Sequence, residues 1–348
     1  MPCSLRPLKW TTFTILQKIS SKRLIMILVT GATGFLGSQL VFDLVSSGKM
    51  VRALKRSSSK IPQCLANLSG IEWVNGDVLD YYSLEDALKG IRQVYHCAAK
   101  VTLNSKFKGE LYRTNIEGTA NLVNACLAAS VEKLVHASSI AAIGIGKPGE
   151  LITENHKFEY SPVNSAYAIS KYESENEVWR GMAEGLNAVI VNPTIIIGKE
   201  NWTEGSGRLF GKVRDGLNVY PLGGCGFVDV RDVSKSMIML MESTIANERF
   251  IVNSENLPYK QLFDLIADEL GKTKPKIAIR KWHLELGWRI AKLFSFLNGK
   301  DPALTRDTAS SAPVLQYYDA NKLSAVIPFN PISIDKSIKE ICARKNRS

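Results

Sequence analysis

The residues of this chain that most suggest chemistry are a tyrosine and a lysine four positions apart, Tyr167 and Lys171. On a helix this spacing puts both side chains on one face, one turn apart. A nearby ammonium favours the phenolate and lowers the pKa of a tyrosine, which predicts that Tyr167 exchanges a proton with a substrate oxygen near neutral pH. The pattern alone is weak evidence, because Tyr318 and Lys322 repeat it.

A pair of serines distinguishes the first tyrosine–lysine pattern from the second. Ser138 and Ser139 directly follow the stretch 133–137, which is predicted to form a buried strand. The carboxyl ends of parallel strands form a ligand crevice, so Ser139 is expected to donate to the same substrate oxygen as Tyr167. Tyr318 has no such upstream partner, and we interpret it as structural.

A glycine-rich turn near the start of the chain predicts a dinucleotide site. Gly31 permits a tight turn, Gly34 lets the backbone approach a phosphate, and Gly37 lets the following helix pack on the preceding strand. Backbone N–H groups and the positive end of the helix would then bind a pyrophosphate. The residues of the turn that we predict to contact the cofactor are Gly31, Thr33, Gly34, Phe35, Leu36 and Gly37.

The end of the second predicted strand, residues 50–54, indicates which dinucleotide is preferred. An acidic residue at this position would bind the ribose 2′-hydroxyl of NAD, but the chain is basic here. Arg56, helped by Lys55 or Lys60, would instead pair with a 2′-phosphate through charge-assisted hydrogen bonds. We therefore predict NADP(H) as the cofactor, with NAD(H) as the alternative.

Two further strand ends are predicted to contact the cofactor. The third strand ends near Asp77 and Val78, where the Asp77 carboxylate could accept a hydrogen bond from the adenine amino group. The fourth strand is followed by Ala98 and Ala99, whose small side chains let the backbone lie flat against the ribose.

Strands and helices alternate as far as Pro193, with one helix expected over 115–129, and become irregular beyond it. This alternation predicts an α/β fold, a Rossmann-type doubly wound parallel sheet with a smaller C-terminal substrate-binding lobe. The first 25 residues lack the apolar core of a secretory signal, and we interpret them as a disordered tail or a start assigned too early. The predicted divisions are a leader at 1–25, an NAD(P)-binding Rossmann domain at 26–198 with a returning segment at about 227–256, and a smaller lobe at 199–226 and 257–340.

Composition argues against several classes of protein. The 348 residues are 45% hydrophobic and 22% charged, which predicts a globular chain with a sizeable core. The sequence has no apolar run of about 18 residues, so we predict no membrane-spanning helix. The six cysteines are scattered and the four histidines are not spaced as ligands, which predicts free thiols, a cytoplasmic location and no metal.

The net charge of +11 is concentrated in residues 1–25 and 272–300. Basic and aromatic residues do not interleave there, so we expect solvated basic faces and no nucleic-acid partner. The amphipathic stretch 282–297 is interpreted as a helix that packs on the smaller lobe, with contact to a membrane surface as the alternative.

Residues 26–340 resemble the extended short-chain dehydrogenase/reductases. The glycine turn is similar to the cofactor motif of that family, and Ser139, Tyr167 and Lys171 match its catalytic triad. The resemblance implies that Asn115 holds a water near the lysine as part of a proton relay. It also implies a small-molecule substrate, a homodimer, and a nicotinamide lined by Pro193 and the residues after it.

Within that family, the stretches 192–198 and 227–233 and the strand end at Arg56 look like dihydroflavonol and cinnamoyl-CoA reductases, which use NADPH. Nucleotide-sugar epimerases usually carry tyrosine where this chain has Ile143 and Ile197. We therefore expect a reductase that transfers hydride between NADPH and a carbonyl or alcohol. The alternatives are an NAD-dependent nucleotide-sugar epimerase or dehydratase, a 3β-hydroxysteroid dehydrogenase and a non-catalytic dinucleotide sensor.

Overall fold

The structure is a computed structural model that describes residues 26–102, 105–147, 149–162, 164–199, 202–280, 282–289 and 313–345. Within these residues, fourteen strands form the sheets. Numbered along the chain, the strands are β1 Met26–Thr30, β2 Val51–Lys55, β3 Ile71–Asn75, β4 Ile91–His96, β5 Lys133–Ala137, β6 Leu151–Ile152, β7 Ala188–Pro193, β8 Ile195–Ile197, β9 Val219–Pro221, β10 Gly224–Asp229, β11 Glu248–Val252, β12 Glu255–Pro258, β13 Ile277–Ile279 and β14 Tyr317–Tyr318.

The helices connect these strands and cover both faces of the largest sheet. They are α1 Phe35–Ser46, α2 Tyr81–Leu88, α3 Lys108–Tyr112, α4 Gly118–Ala128, α5 Ala166–Ala183, α6 Gly207–Arg214, α7 Val230–Glu242 and α8 Tyr259–Leu270. Later helices span 282–289, Asn321–Val326 and Ile334–Lys345.

The central sheet has seven parallel strands in the order β3-β2-β1-β4-β5-β7-β11. All six residues of β7 and four of the five residues of β1 are buried, as expected for a sheet covered on both faces. The strand order reverses beside β1, which creates the crevice at the carboxyl ends of β1 and β4 where ligands bind in such sheets. The predicted Rossmann-type doubly wound sheet is therefore confirmed.

Two hydrophobic clusters attach helices to the opposite faces of this sheet. On one face, α1 and α7 contribute Leu40, Leu44 and Met237 to the cluster, and the late residues Leu323 and Ile327 pack there too. On the other face, the helices α2, α4 and α5 supply the packing. The Tyr–Lys helix α5 is thereby held rigidly against the sheet.

A third cluster lies in the smaller part of the molecule. It joins β10, α6, α8 and the helix Ile334–Lys345, and Phe210, Phe227 and Ile266 are among its fully buried side chains. A three-stranded sheet, β12-β10-β8, runs beside the carboxyl end of the central sheet, because β8 directly follows β7. The predicted division of the chain into domains and its exact boundaries stay a prediction.

Two predicted helices differ from the observed ones. The helix predicted over 115–129 begins earlier, as α3, and reaches α4 through a π-helical turn at Arg113–Glu117 that contains Asn115. In the stretch predicted to pack on the smaller lobe, the helix 282–289 buries Leu284 but leaves Trp282 61% exposed. The remainder of that stretch, like residues 1–25, lies outside the described residues. No described helix combines the length and the apolar character needed to cross a membrane.

Candidate active site

The tyrosine–lysine pair lies at the start of α5. The Oγ of Ser165 accepts a hydrogen bond from the N–H of Ala168 at 3.0 Å and so caps the first turn of the helix. Tyr167 is therefore the second residue of α5, and Lys171 follows one turn later. The helix spacing predicted for this pair is present in the structure.

Ser139 lies at the end of β5, close to the start of α5. Its backbone is extended, with φ −163° and ψ 154°, and its Oγ accepts a hydrogen bond from the N–H of Ala141 at 3.1 Å. The side chain of Ser139 lies close enough to Tyr167 to interact with its phenol and to oppose the rise of its pKa. The fold thus brings together two residues that are 28 positions apart in the sequence, at the carboxyl edge of the central sheet.

The side chain of Lys171 is almost completely buried, with 2% of its surface exposed. Its Nζ donates a hydrogen bond to the carbonyl oxygen of Ala137 at 2.9 Å, at the end of β5. Burial lowers the pKa of Lys171 to about 8, although the carboxylate of Glu175 acts in the opposite direction. Lys171 is therefore poised to change charge close to neutral pH.

The predicted lowering of the pKa of Tyr167 was wrong, because the pKa is shifted in the opposite direction and Lys171 is not among the groups that shift it. Burial raises the pKa of Tyr167 above its ordinary value, and the interaction with Ser139 only partly opposes this effect. The physical reason is that desolvation disfavours the phenolate, while the lysine amine is directed at the carbonyl of Ala137. The phenol therefore stays protonated at neutral pH.

Asn115 ties the π-helical turn to the helix that carries the triad. Its Nδ2 donates to Ser170 Oγ at 2.9 Å and to the Lys100 carbonyl at 3.0 Å, and its Oδ1 accepts from the Lys100 N–H at 2.7 Å. The backbone carbonyl of Asn115 accepts from Thr119 Oγ1 at 2.6 Å. Asn115 thus contacts Ser170, the residue that precedes Lys171 on α5, while its predicted water-holding role stays a prediction.

The glycine turn has the shape that a dinucleotide phosphate requires. Gly31 has φ +67°, and a Cβ there would lie 2.5 Å from the backbone nitrogen of Ala98. A Cβ on Gly37 would lie 2.1 Å from the carbonyl oxygen of Gly31. Gly34 is the N-cap of α1 and offers no capping side chain, and the first turn of α1 contains no acidic residue. The backbone N–H groups at the N-terminal end of α1, next to Thr33, Phe35 and Leu36, fit an anionic pyrophosphate.

The predicted NADP-selecting residue, Arg56, is exposed at the end of β2. Within the described parts of the chain no carboxylate pairs with its guanidinium, whereas the neighbouring Lys55 donates to Asn75 Oδ1 at 3.0 Å. An unpaired guanidinium beside the crevice fits a 2′-phosphate.

The remaining predicted cofactor contacts lie at strand ends on the same edge of the sheet. Asp77 already accepts a hydrogen bond from the N–H of Leu79 at 3.0 Å through one carboxylate oxygen. The N–H of Ala98 donates to Thr30 Oγ1 at 3.3 Å, which ties the fourth strand end to the glycine turn. Three other predicted contacts differ in exposure: Val78 and Pro193 are buried and Ala99 is exposed.

The second tyrosine–lysine pattern does not form a comparable pair. Tyr318 is buried in β14, and Lys322 Nζ donates instead to the carbonyl oxygen of Arg249 at 3.0 Å and pairs with Glu248 at 2.7 Å. Lys322 is therefore not directed at Tyr318, and the structural interpretation of Tyr318 stays a prediction. Tyr318 nevertheless lines a cavity next to the first pair.

That cavity has a volume of about 210 Å³ and adjoins Ser139 and Tyr167, because it is lined by their chain neighbours Ile140, Ala141 and Ala168. None of the described residues that line it carries a formal charge at neutral pH. The polar groups in its wall belong to Asn164, Ser165, Cys225, Tyr259, Gln316 and Tyr318. Burial raises the pKa of the Cys225 thiol to about 12, which leaves it unreactive.

Sequence reasoning missed most of this lining and the polar residues behind the triad. Asn164 and Gln316 lie in irregular segments, where no periodic pattern marks them. Glu175 carried a usable signal, because it follows Lys171 by four positions on the same helix face.

Comparisons with known proteins identify the family to which the chain belongs. The model of the NAD dependent epimerase/dehydratase family matches residues 27–253. A Synechocystis protein with the provisional name dihydroflavonol 4-reductase is 31% identical over 321 residues, 90% of this chain and 92% of its own length. The sterol demethylase protein B of Methylococcus capsulatus is 34% identical over 258 residues, 72% and 76% of the two chains.

Solved structures share the whole fold. The crystal structure of gox2253 superposes with a TM-score of 0.80 at 28% identity and covers 92% of this chain and 98% of its own. The UDP-glucose 4-epimerase of Thermotoga maritima superposes with a TM-score of 0.76 and covers 93% and 100%, at 20% identity. The second likeness concerns the fold alone. The resemblance predicted from the sequence is confirmed.

Proposed function

Because the chain belongs to the NAD dependent epimerase/dehydratase family, we propose that it is an NADP(H)-dependent reductase of a small carbonyl compound. The observation that carries the proposal is the placement of Ser139 and Tyr167 together at the carboxyl edge of the central sheet, beside a cavity whose described lining is uncharged. The relative named for dihydroflavonol reduction supports the same reaction class.

In this proposal the chain's own residues bind and protonate the substrate. Bound NADPH supplies the hydride that reduces the carbonyl carbon. Tyr167 donates a proton to the carbonyl oxygen, a role that suits a phenol whose pKa burial has raised. Ser139 donates a hydrogen bond to the same oxygen and stabilises its developing charge. Lys171 binds the cofactor ribose and restores the proton to the site.

The lining of the cavity favours a reductase over a nucleotide-sugar epimerase. A nucleoside diphosphate carries negative charge, and proteins recognise it with arginine or lysine side chains. The described residues that line the cavity include neither, and its volume of about 210 Å³ suits a small neutral molecule. The fold shared with the UDP-glucose 4-epimerase carries no argument on the reaction.

The test is to purify the full chain and measure oxidation of NADPH and of NADH with benzaldehyde and a dihydroflavonol as substrates. We expect a carbonyl-dependent loss of NADPH absorbance and a slower reaction with NADH. UDP-glucose is assayed separately for conversion without net consumption of the cofactor. Epimerisation of UDP-glucose with no carbonyl reduction would refute the proposal.

The 2′-phosphate contact gives a separate prediction. Replacing Arg56 with alanine is expected to weaken NADPH binding about tenfold and to leave NADH binding unchanged, because an exposed charge-assisted contact is worth roughly 1–2 kcal/mol. Fluorescence titration with each cofactor measures both affinities. The control is Arg92→Ala, which removes another exposed guanidinium, paired with Glu132 elsewhere on the sheet. Equal loss of NADH affinity in Arg56→Ala would contradict the assignment.

Titration of Lys171 predicts how turnover depends on pH. Burial lowers the pKa of Lys171 to about 8, so the amine is charged below that pH and neutral above it. If the charged amine restores the proton, kcat should fall as the pH rises through about 8. Replacing Lys171 with methionine, which keeps most of the length of the side chain and removes the amine, should abolish this fall of kcat at high pH together with most of the activity. A profile that stays flat between pH 7 and pH 9 in the wild-type chain (roughly one unit either side of the pKa) would contradict this role.

A further inference from the structure

A buried carboxylate lies behind the Ser–Tyr–Lys group. Glu175 follows Lys171 by one turn on α5, and 1% of its side chain is exposed. Its Oε2 accepts hydrogen bonds from Ser138 Oγ at 2.8 Å and from Asn192 Nδ2 at 2.9 Å. Its Oε1 accepts from Arg249 Nη1 at 2.9 Å. This one carboxylate therefore connects α5 to the ends of β5 and β7 and to β11.

These contacts hold the backbone on both sides of Ser139. Ser138 is bonded directly to the carboxylate, and Asn192 Nδ2 also donates to the carbonyl oxygen of Ser139 at 3.0 Å. Ser139 is thus held in two places: the residue before it is bonded to Glu175, and its own carbonyl oxygen is bonded to Asn192. We propose that Glu175 is a positioning residue, which aims Ser139 at the substrate oxygen and keeps Lys171 charged.

The second part of the proposal follows from the charges around Lys171. Glu175 supplies a negative charge one turn away, and this charge opposes the effect of burial. Three further titratable side chains face Lys171: His96 at the end of β4, Cys97 directly after β4, and His136 in β5. All three are uncharged at neutral pH, because burial lowers the pKa of both histidines and raises that of the thiol to about 12.

Arg249 approaches the carboxylate from β11, and its guanidinium is itself anchored. It donates to the carbonyl oxygens of Glu154 and His156 at 2.6 Å and 2.8 Å. A buried carboxylate whose hydrogen-bond donors are all in place is held in one position, whereas one left without partners would not be. The network therefore has the rigidity that aiming a neighbouring hydroxyl requires.

The inference rests on the proposed reductase function, and its test is Glu175→Gln in the full chain. With the carbonyl substrate that the wild-type chain reduces, kcat should fall about 100-fold with little change in KM, because a small misplacement of Ser139 disrupts the reactive geometry. The loss of activity at high pH should also move to lower pH, since the charge that holds the proton on Lys171 is gone. The matched control is Glu177→Gln on the same helix, whose carboxylate pairs with Arg180 near the surface.

Ser138→Ala separates the two effects, because it removes a hydrogen bond and keeps the charge. It should lower kcat about tenfold and leave the pH profile unchanged. If Glu175→Gln does not fold, wild-type kcat in Ser138→Ala still overturns the positioning role. A wild-type pH profile and kcat in a folded Glu175→Gln would overturn the whole proposal.

A crystal structure of Glu175→Gln decides the question without a substrate. The proposal expects Ser139 Oγ to move away from the Tyr167 hydroxyl, and an unmoved Ser139 would refute it. A wild-type chain that reduces no carbonyl would refute the proposed function instead, so the two failures are distinguishable.

Discussion

Replacing Tyr167 with phenylalanine is expected to lower kcat by about 10²- to 10⁴-fold and to leave NADPH affinity nearly unchanged. The substitution removes one hydroxyl, which is the group that contacts Ser139 and is proposed to protonate the substrate. Proton transfer by a positioned side chain contributes a rate factor of this size. Steady-state kinetics give kcat, and fluorescence titration gives the NADPH affinity.

A second tyrosine on the same helix provides the control for this variant. Tyr172 stacks on Phe158 with ring centroids 4.3 Å apart, and Tyr172→Phe keeps the ring and this contact. It should therefore retain wild-type kcat. Turnover in Tyr167→Phe within tenfold of the wild type would show that another group protonates the substrate.

Replacing Gly37 with alanine is expected to destabilise the protein by about 3 kcal/mol or more and to abolish measurable cofactor binding. A Cβ at this position would lie 2.1 Å from the carbonyl oxygen of Gly31 and 2.8 Å from its carbonyl carbon. Both are backbone atoms of the turn, so the clash is relieved only by moving the turn that fits the pyrophosphate. Urea unfolding and NADPH titration measure the two effects.

Gly109→Ala is the matched control for that change. Gly109 lies in α3, and a Cβ there would meet no atom within 4 Å. Alanine in a helix is favoured over glycine by up to about 1 kcal/mol, so this variant should be as stable as the wild type or more stable. A Gly37→Ala chain with the stability of the wild type would contradict the prediction, because it would mean that the turn accommodates a Cβ at this position.

The sequence by itself was sufficient to predict the central sheet, the glycine turn and the Ser–Tyr–Lys group of the proposed site, but not the lining of the cavity. Apolar runs of five or six residues, separated by amphipathic helices, specify a parallel sheet because both of its faces are buried. The glycine turn was recognisable because a positive φ at Gly31 and the closeness of Gly37 to its carbonyl exclude side chains at those positions. Local patterns of this kind are visible in the sequence because neighbouring residues encode them.

The tertiary structure decided what depends on distant segments meeting. The sequence placed Lys171 near Tyr167 but could not show that its amine reaches the Ala137 carbonyl, or that burial raises the pKa of Tyr167. The partners of Glu175 come from three strands that are far apart in the sequence. Burial and hydrogen bonding set the charges of these groups, and both depend on how the strands and helices pack together. The Ser–Tyr–Lys group and the glycine turn could therefore be predicted from the sequence. The protonation of these side chains and the hydrogen bonds that hold them were decided by the fold.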